Sequence, residues 1–120
     1  MLGYRDSGMP DSEANHHPDC FAMADLDEAT GRLVAIIRRT RPHVIITYND
    51  DQQGYLHPDH LRVHDISVLA FDRAGDAAWY PELGEPFTPL IVMGSAMTLL
   101  GVAIVLKRSE IPTIEPAEGV

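Results

Sequence analysis

Two imidazoles three positions apart, in His57-Pro58-Asp59-His60, are the densest concentration of chemically versatile side chains in this 120-residue sequence. On the first turn of a helix, residues i and i+3 lie close enough to the same face to serve one centre. Either ring could bind a metal through a nitrogen, or one could bind while the other handles protons. Asp59 offers a carboxylate to orient one ring and support its charged form. Histidines at this spacing also serve as caps and surface residues, and His60 with His64 forms a second pair at i and i+4, so spacing alone does not select a pair. His64 reads as a solvated or partly packed helix residue, and His43 as a strand-opening residue against the neighbouring helix. His16-His17-Pro18-Asp19 repeats the histidine, proline and aspartate theme in a loop with no strand before it, which points to solvent exposure rather than ligation. Cys20, the single cysteine, lacks a second thiol or an obvious activating base and reads as a small packed hydrophobe.

These residues need elements to hold them. Residues 1–24 are dense in Gly, Pro, Asp, Ser and Asn without a sustained period, and read as one long loop. Asp25 followed by Glu28 makes a capping box, and Leu26, Ala29, Leu33, Ile36 and Ile37 recur at helical spacing, so a helix is expected over 26–41. Arg38, Arg39 and Arg41 favour its negative end and Pro42 stops it. His43-Val44-Ile45-Ile46-Thr47-Tyr48 has the β-branched and aromatic composition of a buried strand. After a polar loop, a second helix is expected from about Pro58 to Ala74, with Pro58 at its first position and Gly75 at its end. Helix followed by buried strand is half of a parallel α/β unit. In such sheets ligands bind beyond the carboxyl ends of strands, which puts the expected site after Tyr48.

Composition bounds the rest. A chain of this length, with 18 acidic against 9 basic side chains and a formal charge of -9, is at most one small domain and lacks the basic footprint of a nucleic-acid binder. One cysteine and no signal segment make a reducing cytoplasm the default compartment. The distribution is uneven, because all six histidines lie in residues 1–88, whereas Pro86 through Leu106 carries no charge. About 20 apolar residues span a bilayer core, so residues 89–106 are expected to form an apolar helix that could cross a membrane or be buried in a core. Lys107 and Arg108 open a short polar tail over 107–120.

Three blocks carry a family resemblance: Leu2-Gly3-Tyr4-Arg5-Asp6-Ser7-Gly8-Met9, Arg41-Pro42-His43-Val44-Ile45-Ile46-Thr47-Tyr48, and Gly54-Tyr55-Leu56-His57-Pro58-Asp59-His60. Together with Pro18-Asp19-Cys20-Phe21-Ala22 and Gly84-Glu85-Pro86-Phe87-Thr88, they resemble the zinc-dependent N-acetylglucosaminyl deacetylase superfamily, also called LmbE-like or PIG-L. The resemblance covers residues 2–88 and is strongest to its mycothiol S-conjugate amidases, with the mycothiol-biosynthesis deacetylases next. It implies a Rossmann-like three-layer α/β fold, here partial and truncated, over residues 1–88. It also implies hydrolysis of an amide on a small glucosaminyl-inositol thiol substrate.

By the same resemblance His60 would be a zinc ligand, and His57 would stay charged to stabilise the tetrahedral oxyanion. Asp59 would orient His57, Tyr55 would assist the same intermediate, and Asp6 and Met9 would line the sugar pocket. Zinc would lower the pKa of a bound water while a carboxylate removes its proton. The family's other zinc ligands and its base belong to an upstream His-Pro-Asp-Asp-Glu block that this sequence does not contain. The expectation is therefore a fragment with little activity alone. A small single-span membrane protein carrying a hydrolase remnant is the alternative.

Overall fold

Local signals set both helices. The structure, a computed structural model, describes residues 1–94. Leu26–Thr40 forms the first helix (α1), where the Asp25 carboxylate accepts from the backbone N–H of Glu28 at 2.8 Å and so satisfies a donor the helix cannot. Arg41 closes it in the left-handed conformation at φ 46°, its N–H reaching the Ile37 carbonyl at 2.8 Å. Val44–Tyr48 follows as a strand (β1), then Pro58–Ala74 as the second helix (α2), both close to expectation. Gly75 is required at the end of α2 by close approach, since a Cβ there would meet Thr88 Oγ1 at 1.9 Å.

The C-terminal end of α2 is organised by one side chain. Arg38, on α1 and 4% exposed, donates to the carbonyls of Arg73, Ala74, Asp76, Trp79, Tyr80 and Gly84 at 2.7–3.3 Å. Among the described residues no carboxylate pairs with it; the free carbonyls at the negative end of the helix dipole, with those of the following turn, balance its charge. Beside it, Val34, Ile37, Ala70 and Ala74 form the core between the helices, joined by Leu33, Ile45, Tyr80, Leu83 and Phe87.

Three expectations are corrected. The apolar helix expected over 89–106 does not start there, because Leu90–Gly94 is a second strand (β2) that pairs parallel with β1, from Val44 opposite Leu90 to Tyr48 opposite Gly94. A run of Leu, Ile, Val and Met beside an open strand edge gains a ladder of backbone hydrogen bonds, a long-range opportunity that an apolar run does not announce. Residues 95–106, with the polar tail at 107–120, lie outside the described residues, and no helix among the described residues is long and apolar enough to cross a membrane. Second, β1 is not buried on both faces. Ile45 and Thr47 turn towards the helices, while Val44 is 44% and Ile46 82% exposed. Among the described residues the helices cover only one face of the sheet.

Third, residues 1–24 are more ordered than one long loop. They contain 3-10 turns at Glu13–His16 and Phe21–Met23 and a parallel bridge between Arg5 and Cys20. Side chains supply their cohesion, which no hydrophobic period reveals. The result is an α/β arrangement in which β1, α2 and β2 form a parallel β-α-β unit with α1 packed against α2.

Candidate active site

The site is built where β1 ends and α2 begins. Pro58 opens α2 with no N–H to lose, and His57 caps it, its Nδ1 accepting the backbone N–H of Asp59 at 3.2 Å. That contact makes Nδ1 an acceptor, so a neutral His57 ring carries its proton on Nε2. Asp59 meets His57 through its backbone; its carboxylate turns the other way. Oδ2 of Asp59 accepts from the backbone N–H of Ser7 at 3.1 Å, across 52 positions of sequence, and Oδ1 is buried without a hydrogen-bond partner.

His60 stands one turn further along. Its ring stacks on Tyr48 at 4.2 Å between centroids and 11° between planes, and lies 4.9 Å from the ring of His57. Its Nδ1 is buried and unpartnered. His64 is otherwise engaged, its Nδ1 lying 2.9 Å from the Tyr48 carbonyl. The ambiguity between the two histidine pairs is thus resolved by geometry: His57 and His60 face each other, while His64 ties the end of β1 to α2.

The segment carrying Asp6 and Met9 reaches the same place. The Tyr55 hydroxyl donates to Met9 Sδ at 3.6 Å, and the Tyr55 ring lies 6.1 Å from both His57 and His60. Asp6 Oδ1 accepts from the N–H of Gly8 at 2.7 Å, closing a short turn in which Gly8 has φ +77°. Glycine is required there twice over, because a Cβ would also meet Ala14 Cβ and Ser12 Oγ at 2.8 Å. The six residues Asp6, Met9, Tyr55, His57, Asp59 and His60 therefore lie along one junction between the N-terminal segment and α2.

Sequence reasoning missed the residues that hold this junction. Ser7 is fully buried; its Oγ accepts from Ala22 N–H at 2.8 Å and its carbonyl accepts from the Asn15 side chain, which also reaches the Met9 carbonyl at 3.0 Å. Arg62 on α2 donates to the carbonyls of Ala22 and Ala24 at 2.6 and 2.8 Å and to Phe21 at 3.4 Å. An arginine at mid-helix and a serine before a glycine carry no local mark of such roles. The expected small packed residue Cys20 is fully buried. His43 is exposed, and its carbonyl accepts from Leu90 N–H at 2.9 Å.

The donors present limit what metal this junction could hold. His60, with a buried unpartnered nitrogen, is the one member of this junction with the character of a ligand, whereas a catalytic zinc takes about three protein ligands. Among the described residues no group of three His, Cys, Asp or Glu side chains is placed to hold a metal ion. His17 repeats the cap of His57, its Nδ1 accepting Asp19 N–H at 3.1 Å. The residues described here do not make a zinc site by themselves.

Residues 1–71 match the model of the PIG-L family, described as GlcNAc-PI de-N-acetylase. A 1D-myo-inositol 2-acetamido-2-deoxy-alpha-D-glucopyranoside deacetylase of Streptomyces avermitilis is 52% identical over 84 residues, covering 70% of this chain and 28% of the relative. A protein with the same activity in its name, from Frankia alni, is 50% identical over 84 residues with the same coverage, and one from Thermobifida fusca is 53% identical over 73 residues, 61% of this chain and 25% of the relative. The chain spans about a quarter of the length of these relatives. With more than half of its residues matched by the family model, and the His57 to His60 turn joined to the Asp6 to Met9 segment inside that match, the chain belongs to the PIG-L family.

Proposed function

We propose that residues 1–94 form one wall of a site that hydrolyses an N-acyl bond on a glucosaminyl-inositol substrate, as the names of the relatives describe for those proteins. The observation that carries this reading is the convergence of two remote segments, joined by the bond from Ser7 N–H to Asp59 and by the contact from Tyr55 to Met9. His57 is the hydrogen-bond donor of the reaction. With Nδ1 held by Asp59 N–H, its Nε2–H is free to meet the oxygen that gains charge as the amide carbonyl is attacked, an interaction that removes about 3 kcal/mol from such barriers. Among the described residues the Tyr55 hydroxyl is bound only to a weak sulfur acceptor, and it can turn to the same oxygen at little cost. Asp6 and Met9 border the sugar, and His60 offers one imidazole towards the family's zinc, short of the about three ligands that a catalytic ion takes. No step of water activation is assigned to the described residues. The wider fold would be the Rossmann-like three-layer α/β arrangement, for which the parallel β-α-β unit and the exposed outer face of β1 speak.

Titration of the full chain with N-acetyl-D-glucosamine, followed by amide and histidine side-chain NMR, tests the reading. Shifts are expected at Asp6, Met9, Tyr55 and His57, with His16 and His17 unmoved; shifts confined to other residues, or none, would sink it. The full chain is expected to release little or no acetate from N-acetylglucosaminyl-inositol. Turnover with zinc near one equivalent per chain, lost in His60→Ala, would overturn that part.

A further inference from the structure

The loop before α2 touches the N-terminal segment through one pair of side chains with unusual chemistry. The Tyr55 hydroxyl donates to Met9 Sδ at 3.6 Å, and among the described residues Met9 is the one methionine whose sulfur accepts a hydrogen bond. It is also open to solvent. Met1 is exposed, as are Met9 at 59% and Met23 at 54%. Oxidation of a methionine to its sulfoxide disrupts packing where the side chain is buried; at an exposed thioether the change stays local.

The backbones behind this pair are each held by bonds of their own. The Met9 carbonyl accepts from Asn15 Nδ2 at 3.0 Å and from Ser12 N–H at 3.2 Å. The Tyr55 N–H donates to the carbonyl of the buried Gln52, and the Tyr55 carbonyl accepts from His57 N–H, both at 3.0 Å. A change at the sulfur is therefore felt by the Tyr55 hydroxyl rather than spread through the loops. Thioether sulfur is a weak acceptor, whereas a sulfoxide presents a polar oxygen. Oxidation of Met9 replaces a contact that Tyr55 leaves at little cost by one that holds it.

We propose that Met9 is a modification site for peroxides, and that its sulfoxide is a reversible latch on Tyr55. The sulfur lone pair attacks one oxygen of hydrogen peroxide, an S–O bond forms as the O–O bond breaks, and the other oxygen leaves as water with both protons. Sulfur gives up two electrons and the peroxide takes them. A methionine sulfoxide reductase restores the thioether at the expense of two thiols, which leave as a disulfide with one water. The consequence for turnover rests on the deacetylase reading, in which a latched Tyr55 no longer turns towards the oxygen at His57; the latch itself does not.

The test treats the full chain, isotope-labelled in the methionine methyls and at the tyrosine Cζ, with hydrogen peroxide, and follows it by NMR and by mass spectrometry of its peptides. The Met9 peptide is expected to gain one oxygen and the Tyr55 Cζ resonance to move with it, while Tyr4, Tyr48 and Tyr80 stay in place. Methionine sulfoxide reductases should reverse both changes. In Met9→Leu the same treatment should leave Tyr55 unmoved, and because the main readout is made on the unaltered chain, it does not depend on how the variant folds. Oxidation of Met23 with Met9 untouched, an oxidised Met9 with Tyr55 unmoved, or a Tyr55 shift in Met9→Leu overturns the proposal. Addition of N-acetyl-D-glucosamine separates the two readings. The Tyr55 shift it causes in the reduced chain should be lost in the oxidised one with the His57 shift retained, and a Tyr55 shift equal in both forms overturns the latch. No response to the sugar in either form, with the peroxide result intact, strikes the deacetylase reading and leaves the latch standing.

Discussion

The tripeptide His-Pro-Asp occurs twice, at 17–19 and 57–59, and folds the same way locally both times. In each copy the histidine Nδ1 accepts the backbone N–H of the aspartate, at 3.1 and 3.2 Å. What surrounds the two turns differs. The first is followed by a bridge residue and a short 3-10 turn, and the Asp19 side chain is 82% exposed. The second opens a 17-residue helix at the end of a strand, with its aspartate bound to Ser7 N–H and a second histidine stacked on Tyr48. Identical local chemistry becomes a site only where the chain brings remote groups to it. Of the five buried side-chain atoms without a hydrogen-bond partner among the described residues, Asp59 Oδ1 and His60 Nδ1 lie at the second copy's helix start and none at the first copy, the others being on Tyr4, Thr47 and Asn49.

The widest separation between the copies is expected on removing each carboxylate. Asp59→Ala leaves the N–H of the fully buried Ser7 without its acceptor and should cost about 1–3 kcal/mol in urea denaturation of the full chain, while Asp19→Ala should fall within about 0.5 kcal/mol of the parent. Equal losses would erase the distinction.

A smaller effect concerns a third carboxylate, used purely as a clip. The hydroxyl of Tyr80, then the guanidinium of Arg73, hydrogen-bond Asp27 and hold its carboxyl below the ordinary carboxylate range. A lowered folded pKa means that its contribution is present above the unfolded value and is lost as the pH falls through the folded one. Asp27→Asn should therefore lower the urea midpoint at pH 7, and the gap from the parent should close in strong acid; a gap independent of pH would show that the pair contributes nothing through its charge.

The smallest change is expected at His60. His60→Phe keeps a flat ring against Tyr48 and removes a buried nitrogen that has no partner, so stability should stay within about 1 kcal/mol of the parent or rise. A loss above about 2 kcal/mol in the same denaturation series would make His60 a structural residue and blur the contrast with His17.

Elements governed by neighbours in sequence were legible. Asp25 capping α1, Pro58 opening α2 and Gly75 closing it are interactions within a turn or two, and their ends agree with the structure to within a residue. The strand at Leu90–Gly94 was not legible, since its reason is the edge of β1 some 46 residues earlier, in a register of Val44 with Leu90. A short apolar run has no period of its own to separate strand from helix. The one-sided burial of β1 was hidden for the same reason: Val44, Ile45 and Ile46 are alike in composition, and which of them meets a helix depends on how the layers stack.

The site divides along that line. Sequence alone determined the His-Pro-Asp turns, their caps and the presence of two histidines on one helical turn, because hydrogen bonds across two or three residues need no help from the rest of the chain. Only the tertiary structure decided which turn gathers a site. Ser7 and Arg62 act across 15 to 52 positions on Ala22, Asp59 and the carbonyls of Phe21, Ala22 and Ala24, and Asn15 binds the backbone carbonyls of Ser7 and Met9, which no residue type advertises. Bonds of that kind form only after the chain has folded two segments together, and they make the second His-Pro-Asp, rather than the first, a place for chemistry.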